Sequence, residues 1–260
     1  MASDEPVVLV APDRLSPSSI STFQQCPLKF KFSKIDGLRD SPTEATMLGN
    51  FVHEILEVMY ALPAEQRTQD TARALARDLW SSKWEEQVTT LIHSEKELKL
   101  FRWTAWWCVE NLWNLEEPKE VEPYSIEEHV EGEISGIKLH GFIDRLHFSD
   151  GVAKVSDYKT GKTPKKNYID DKFFQLIIYT QLLESAGINA EKIEVELLYL
   201  KDGVRFAKEI TKEDVAKVAS VIAEVREGIE KRCKEGYFEP SKSILCNWCG
   251  FKSICPAWQK

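Results

Sequence analysis

A chain of 260 residues with 43% hydrophobic side chains can bury the core of one large domain, or of one domain with a sizeable insertion, without disulfide staples. Its formal charge of -8 argues against coating nucleic acid by bulk electrostatics, although net charge is not local charge. The opening MASDEPVVLVAPDR lacks the basic start and apolar run of a signal peptide, and no stretch of about 18 apolar residues occurs, so a soluble, cytoplasmic protein without membrane contact is expected.

The stretch SPSSISTFQQCPLKFKF opens with capping serines and places Ile20 and Phe23 at helical spacing, predicting a short helix that ends or bends at Cys26-Pro27. Lys29, Lys31 and Lys34 follow. From Thr46 to about Leu62, the residues Leu48, Phe51, Val52, Ile55, Leu56 and Met59 recur with helical period and predict a buried stripe, with Gly49 and His53 one turn apart. Residues 68 to 115 also read as helical, and we assign 64–122 to a helical insertion. Trp103, Trp106 and Trp107 fall at i, i+3 and i+4, so they are expected in its core rather than stacked on bases, with Cys108 a buried thiol beside them.

After Pro123 the pattern changes. YSIEEHVEGEI, IKLHGFIDRLHF and VAKVSDYKT alternate like strands and are separated by the turn signals Ser135-Gly136 and Asp150-Gly151. A helix from about Lys172 to Ser185 follows, then IEVELLYL and VRFAKEI joined through Lys201-Asp202-Gly203, then a long helix capped by TKED and running to about Glu235. The fold class is therefore α/β, a mixed sheet flanked by helices.

The chemistry concentrates in the strands. Asp144 in GFIDRLHF and Asp157 in VSDYKTG converge at one end of the sheet if their strands form a hairpin, giving a site for a hard divalent ion such as magnesium or manganese. Lys159, two residues beyond Asp157, points to the same side, where its amine can orient or deprotonate a metal-bound water and its ammonium form can offset charge on a phosphate oxygen. Gln175 and Tyr179, at i and i+4 on an otherwise apolar helix, are expected to face that site, and His53 adds an imidazole ligand. KTGKTPKK gathers Lys162, Lys165 and Lys166 beside Lys159 as candidate nucleic-acid contacts, against the plainer alternative of a solvated face.

Near the end of the sequence Cys246, Cys249 and Cys255 stand at C-x2-C-x5-C spacing, which in a reducing compartment points to metal chelation. A fourth ligand is required from Cys26, Cys108, Cys233 or a histidine, and spacing leaves zinc and an iron-sulfur cluster both open.

Taken in order, SSISTFQQCPLKFKF, GNFVHEILE, GFIDRLHF, VSDYKTGK, QLIIY and CNWCGFKSICP resemble the RecB-like nucleases of the PD-(D/E)xK superfamily, in the branch with a four-cysteine iron-sulfur cluster. Relatives there include the nuclease domain of AddB, the CRISPR-associated four-cysteine nucleases and stand-alone RecB-family exonucleases. The resemblance covers almost the whole chain and implies one restriction-endonuclease-like domain over 1–260, with a cluster region built from 14–35 and 240–260. It implies that His53, Asp144, Asp157 and the Tyr158 carbonyl hold the catalytic metal, that Lys159 is catalytic, and that Gln175 and Tyr179 support the lysine and the DNA backbone. It also implies that Cys26 joins Cys246, Cys249 and Cys255 around a [4Fe-4S] cluster, leaving Cys233 as a spare thiol. Where the superfamily pattern writes proline, this chain has Ile143, a position that shapes the strand and binds no metal. The expected function is a magnesium- or manganese-dependent exonuclease of single-stranded DNA ends in repair, recombination or CRISPR adaptation, with a helicase or CRISPR integrase as partner. The alternatives are a nuclease-fold DNA-binding or scaffold subunit, or a zinc-bearing interaction module.

Overall fold

The computed structural model describes residues 9–259, so the expectation drawn from the first residues falls largely outside it. Three consecutive strands form the centre: β2 (Ser125–Ile134), β3 (Ile137–Ser149) and β4 (Val152–Lys159). Ser135-Gly136 and Asp150-Gly151 are all left-handed, the two-residue turn whose twist suits antiparallel neighbours. β5 (Lys192–Tyr199) then lies parallel to β4, and the turn at Lys201 to Gly203 returns the chain as antiparallel β6 (Val204–Glu209). β1 (Arg14–Leu15) pairs parallel with Lys138 and Leu139. Because β2 occupies one edge of β3, β1 and β4 share the other, at opposite ends of the strand.

The central strands are covered on both faces, as the apolar runs in β4 and β5 require. On one face Val155, Leu197 and Tyr199 pack with α1 (Pro17–Gln25), α7 (Phe174–Leu182) and α8 (Lys212–Glu235). On the other, Tyr158, Leu198 and Leu200 pack beneath α3 (Glu44–Tyr60) and the helices that follow it. Caps set the helix ends: Ser16 with Ser19 begins α1, Thr43 with Thr46 begins α3, Thr211 with Asp214 begins α8, and left-handed Gly236 ends α8. Pro27 does more than stop α1. Cys26 closes that helix, and the proline begins the short α2 (Pro27–Phe30) at its first position, where no backbone N–H is needed.

α4 (Gln69–Leu79), α5 (Glu85–Thr89) and α6 (Glu95–Asn111) make up the tryptophan-rich segment. Trp80 and Trp84 are buried against Phe51. The expectation for Trp103 and Trp107 is corrected: they are 58% and 41% exposed, while Trp106 is half-buried beneath the Arg73 guanidinium. α6 is amphipathic, and its covered side is filled by Leu98, Phe101, Ala105, Cys108 and Val109, which turns Trp103 and Trp107 outward. On α3, likewise, Met47 rather than Leu48 is the buried residue of the first turn. Among the described residues, no helix is long and apolar enough to cross a membrane.

Candidate functional site

Strand register creates the site. β3 and β4 pair Arg145 with Ser156, which sets Asp144 across from Asp157. β2 and β3 pair Ile126 with Arg145 and Glu128 with Ile143, which sets Glu127 on the far side of Asp144. Residues directly opposite point to the same face, so three carboxylates line up across three strands. Glu127 has a left-handed φ of 49°, an uncommon conformation for a side-chain-bearing residue and a local kink in β2.

α3 brings His53 onto this row. Its Nε2 lies 2.8 Å from the Tyr158 carbonyl and so donates to it, while Nδ1 lies 3.4 Å from Asp144 Oδ2. The same Asp144 oxygen accepts the Tyr158 N–H at 2.8 Å. Imidazole, carboxylate and both peptide groups of Tyr158 thus form one connected unit. Ligand atoms of His53, Glu127 and Asp144 lie within 4.8 Å of one another. Asp157 completes the row: its Oδ2 is buried with Lys159 Nζ at 2.6 Å, yet it accepts no well-directed hydrogen bond among the described residues. The imidazole, the carboxylates of Glu127 and Asp144 and the Tyr158 carbonyl form a donor set that fits a hard divalent cation, while Asp157 lies outside the 4.8 Å group and faces Lys159.

Titration follows from this crowding. Burial disfavours a charged His53, but Asp144 and then Asp157 outweigh it and raise the ring to about 9. Burial, reinforced by Asp144, raises Glu127 to about 7 and Asp157 to about 6, with Lys159 opposing the latter shift. Lys159 is itself held above its ordinary value, since Asp157 overcomes the cost of burial. The protonated imidazole therefore sits among the acids as a cation.

Gln175 Nε2 is 3.0 Å from the Tyr179 hydroxyl, and the Tyr179 ring comes close to β3 at Gly141. A Cβ on Gly141 would stand 2.2 Å from Tyr179 Cε1, so glycine is required there for the ring to reach the strand. Among the described residues, neither Gln175 nor Tyr179 hydrogen-bonds to Asp144, Asp157 or Lys159 directly. Lys162, Lys165 and Lys166 are exposed on the loop after β4, which runs past Gly49 at Thr160. An open cleft of about 640 Å³ leads from His53 and Glu127 along Asn50, Glu57, Lys83 and Gln87, so the tryptophan-rich segment supplies one wall.

Sequence reasoning missed Glu127 and the support beneath the site. Buried Arg145 donates to both oxygens of Glu116, to the Tyr158 hydroxyl at 3.0 Å and to Glu196 Oε1 at 3.2 Å. Tyr60 also donates to Glu116, and Arg205 pairs with Glu196 from the rim. Paired on all sides, these charges fix the ring of Tyr158, and with it the peptide that His53 and Asp144 share.

Away from the carboxylates, Cys26, Cys246, Cys249 and Cys255 line a single cavity of about 60 Å³. All four are free thiols, half-buried, and Cys26 and Cys246 accept the N–H groups of Ser241 and Ser243 at 3.4 Å. Cys108 and Cys233 are buried elsewhere, in the two hydrophobic cores.

Residues 14–256 match the family model of the PD-(D/E)XK nuclease superfamily. The chain is 26% identical to the Gene 69 protein of Mycobacterium phage L5, covering 94% of this chain and 96% of that one. To the Gene 69 protein of Mycobacterium phage D29 it is also 26% identical, covering 94% and 97%. Among solved structures it is similar to the "putative exonuclease" of Eubacterium rectale, with a TM-score of 0.48 at 15% identity, covering 90% of this chain and 86% of that one.

Proposed function

Because the chain belongs to the PD-(D/E)XK nuclease superfamily, we propose that it is a metal-dependent deoxyribonuclease, an exonuclease acting on single-stranded ends in repair, recombination or CRISPR adaptation beside a helicase or integrase. The observation that carries this reading is the convergence of His53, Glu127 and Asp144 with the Tyr158 carbonyl, and the Asp157–Lys159 pair on the neighbouring strand. The carboxylates among them, with His53 and the Tyr158 carbonyl, would hold magnesium or manganese. The ion, when bound, supplies Lewis acidity toward the phosphate and a lowered pKa for the attacking water. The chain supplies the rest. Asp157 aims the Lys159 ammonium, which donates to a phosphate oxygen and offsets the charge that gathers there. Arg145 and Glu116 keep the Tyr158 peptide fixed, and Tyr179 with Gln175 closes the side toward α7. The test is hydrolysis of 5′- and 3′-end-labelled single- and double-stranded DNA with magnesium or manganese. Successive shortening of single strands is expected, and no turnover with either ion would reject the reading.

Metal affinity should rise steeply with pH. In the metal-free chain His53 keeps its proton up to about pH 9, and ligation requires that the proton leave. The proton and the metal compete, so affinity falls as pH falls. His53 alone implies a manganese affinity about a hundredfold weaker at pH 6 than at pH 8, and Glu127 and Asp157 steepen the acid end. Calorimetric titration would show proton release on binding, and a flat pH profile would remove His53 from the ligand set.

For the four cysteines we favour a [4Fe-4S] cluster. A single tetrahedral zinc at about 2.3 Å from each sulfur draws the sulfurs to roughly 4 Å from one another. Among the described residues, no three of these thiols have sulfurs within 4.8 Å of one another, although all four face one cavity. Thiolates spread around a larger group suit a polynuclear cluster better than one ion.

A further inference from the structure

We propose that Trp103 and Trp107 form a base-stacking platform for single-stranded DNA on α6, beside the turn that follows β5, a proposal that rests on the nuclease reading above. The two indoles stack on each other at 5.6 Å between centroids and 14° between planes, and they are 58% and 41% exposed. The Trp107 indole N–H donates to the Lys201 carbonyl at 3.0 Å, which satisfies its polar atom and fixes the ring.

Its position ties it to the site. One turn along α6, Asn111 donates to the carbonyls of Leu200 and Lys201 at 2.8 and 3.2 Å. Leu200 N–H bonds the Lys159 carbonyl at 2.9 Å, and Thr163 N–H bonds Asp202 at 2.7 Å. A single turn therefore anchors the indole-bearing helix on one side and the lysine loop on the other. Lys159 pairs with Tyr199 at the end of β5, and Lys201 lies two residues beyond it in the turn.

Charge selects the occupant. Lys162, Lys165, Lys166 and Lys201 are exposed and make no ion pair among the described residues, although acids outnumber basic residues in the chain. Unpaired lysines on a loop and turn tied to the helix that carries the exposed indoles match a ligand with phosphates and uncovered bases. A duplex hides its base faces in the stack, so the match is to a single strand.

The test is binding of a fluorescein-labelled oligothymidylate of about 15 nucleotides, followed by anisotropy in EDTA so that nothing is cleaved. Trp103→Ala and Trp107→Ala should each weaken binding about tenfold, the double variant more, and Trp107→Phe much less. Tryptophan quenching by the strand should be lost in the double variant, a change that a structural role would not produce. Hydrolysis of bis(p-nitrophenyl) phosphate with manganese should stay at the wild-type kcat, because that substrate is too small to reach the platform. If wild type fails to hydrolyse it, the nuclease reading falls while the binding result stands. Oligothymidylate affinity unchanged in the double variant overturns the platform, as does no binding by wild type. A variant that alters self-association but not strand affinity overturns it too.

Discussion

Lys159→Ala and Asp157→Asn should each cut phosphodiester hydrolysis by about a thousandfold, the scale reached when a preorganised charge at a transition state is removed. Their effects on stability should differ from this and from each other. Asp157 is buried opposite Asp144, with its pKa raised to about 6 by burial and by that neighbour. Replacing it with the neutral amide removes a carboxylate that the metal-free fold holds at a cost, so Asp157→Asn should melt at or above the wild-type temperature. Lys159→Ala leaves the same carboxylate without its ammonium at 2.6 Å and should lower the melting temperature by a few degrees. Differential scanning calorimetry beside a single-turnover assay separates the two quantities. Activity within tenfold of wild type in either variant would exclude that residue from the reaction.

The same residues show what sequence made legible. The turn at Asp150-Gly151 fixes a tight hairpin, and a tight hairpin fixes register, so the meeting of Asp144 and Asp157 follows from counting along two strands. His53 needed only a helical period and a partner. Glu127 offered no such handle. It is one of four glutamates in SIEEHVEGEI, and only its pairing across from Asp144 and its left-handed backbone distinguish it. Arg145 was invisible for another reason: its partners, Glu116 and Glu196, come from a loop and from β5, and a lone arginine after an aspartate reads as surface charge. For Trp103 and Trp107 the spacing was right and the inference about burial was not. Periodicity tells which residues share a helix face, but whether a neighbour covers that face depends on tertiary packing.

Cys26→Ser should lower the melting temperature by roughly 10 °C, from about 3–5 kcal/mol of lost cross-linking at about 2–4 °C per kcal/mol for a chain of this size. The tail explains why so much would rest on this one proposed ligand. Among the described residues beyond Pro240 only Phe251 is buried, against Phe32, while Ile244, Leu245, Trp248, Ile254 and Trp258 stay exposed. Hydrophobic burial of that extent cannot hold twenty residues in place. The polar ties, Asp40 to the Gly250 N–H at 3.0 Å and Lys29 to Asp40 at 2.7 Å, are few and partly exposed, worth little each. The proposed cluster would supply the missing stabilisation, with Cys26 joined to the tail across more than 200 residues of intervening chain. Loss of Cys26 should therefore expose residues 240–259 to protease before the sheet is cut, while Cys233→Ser leaves the tail protected. Anaerobically purified wild type should be brown and carry about four iron atoms per chain. One zinc per chain without iron would overturn the cluster assignment, and a tail equally protected in Cys26→Ser would show that its few protein contacts suffice.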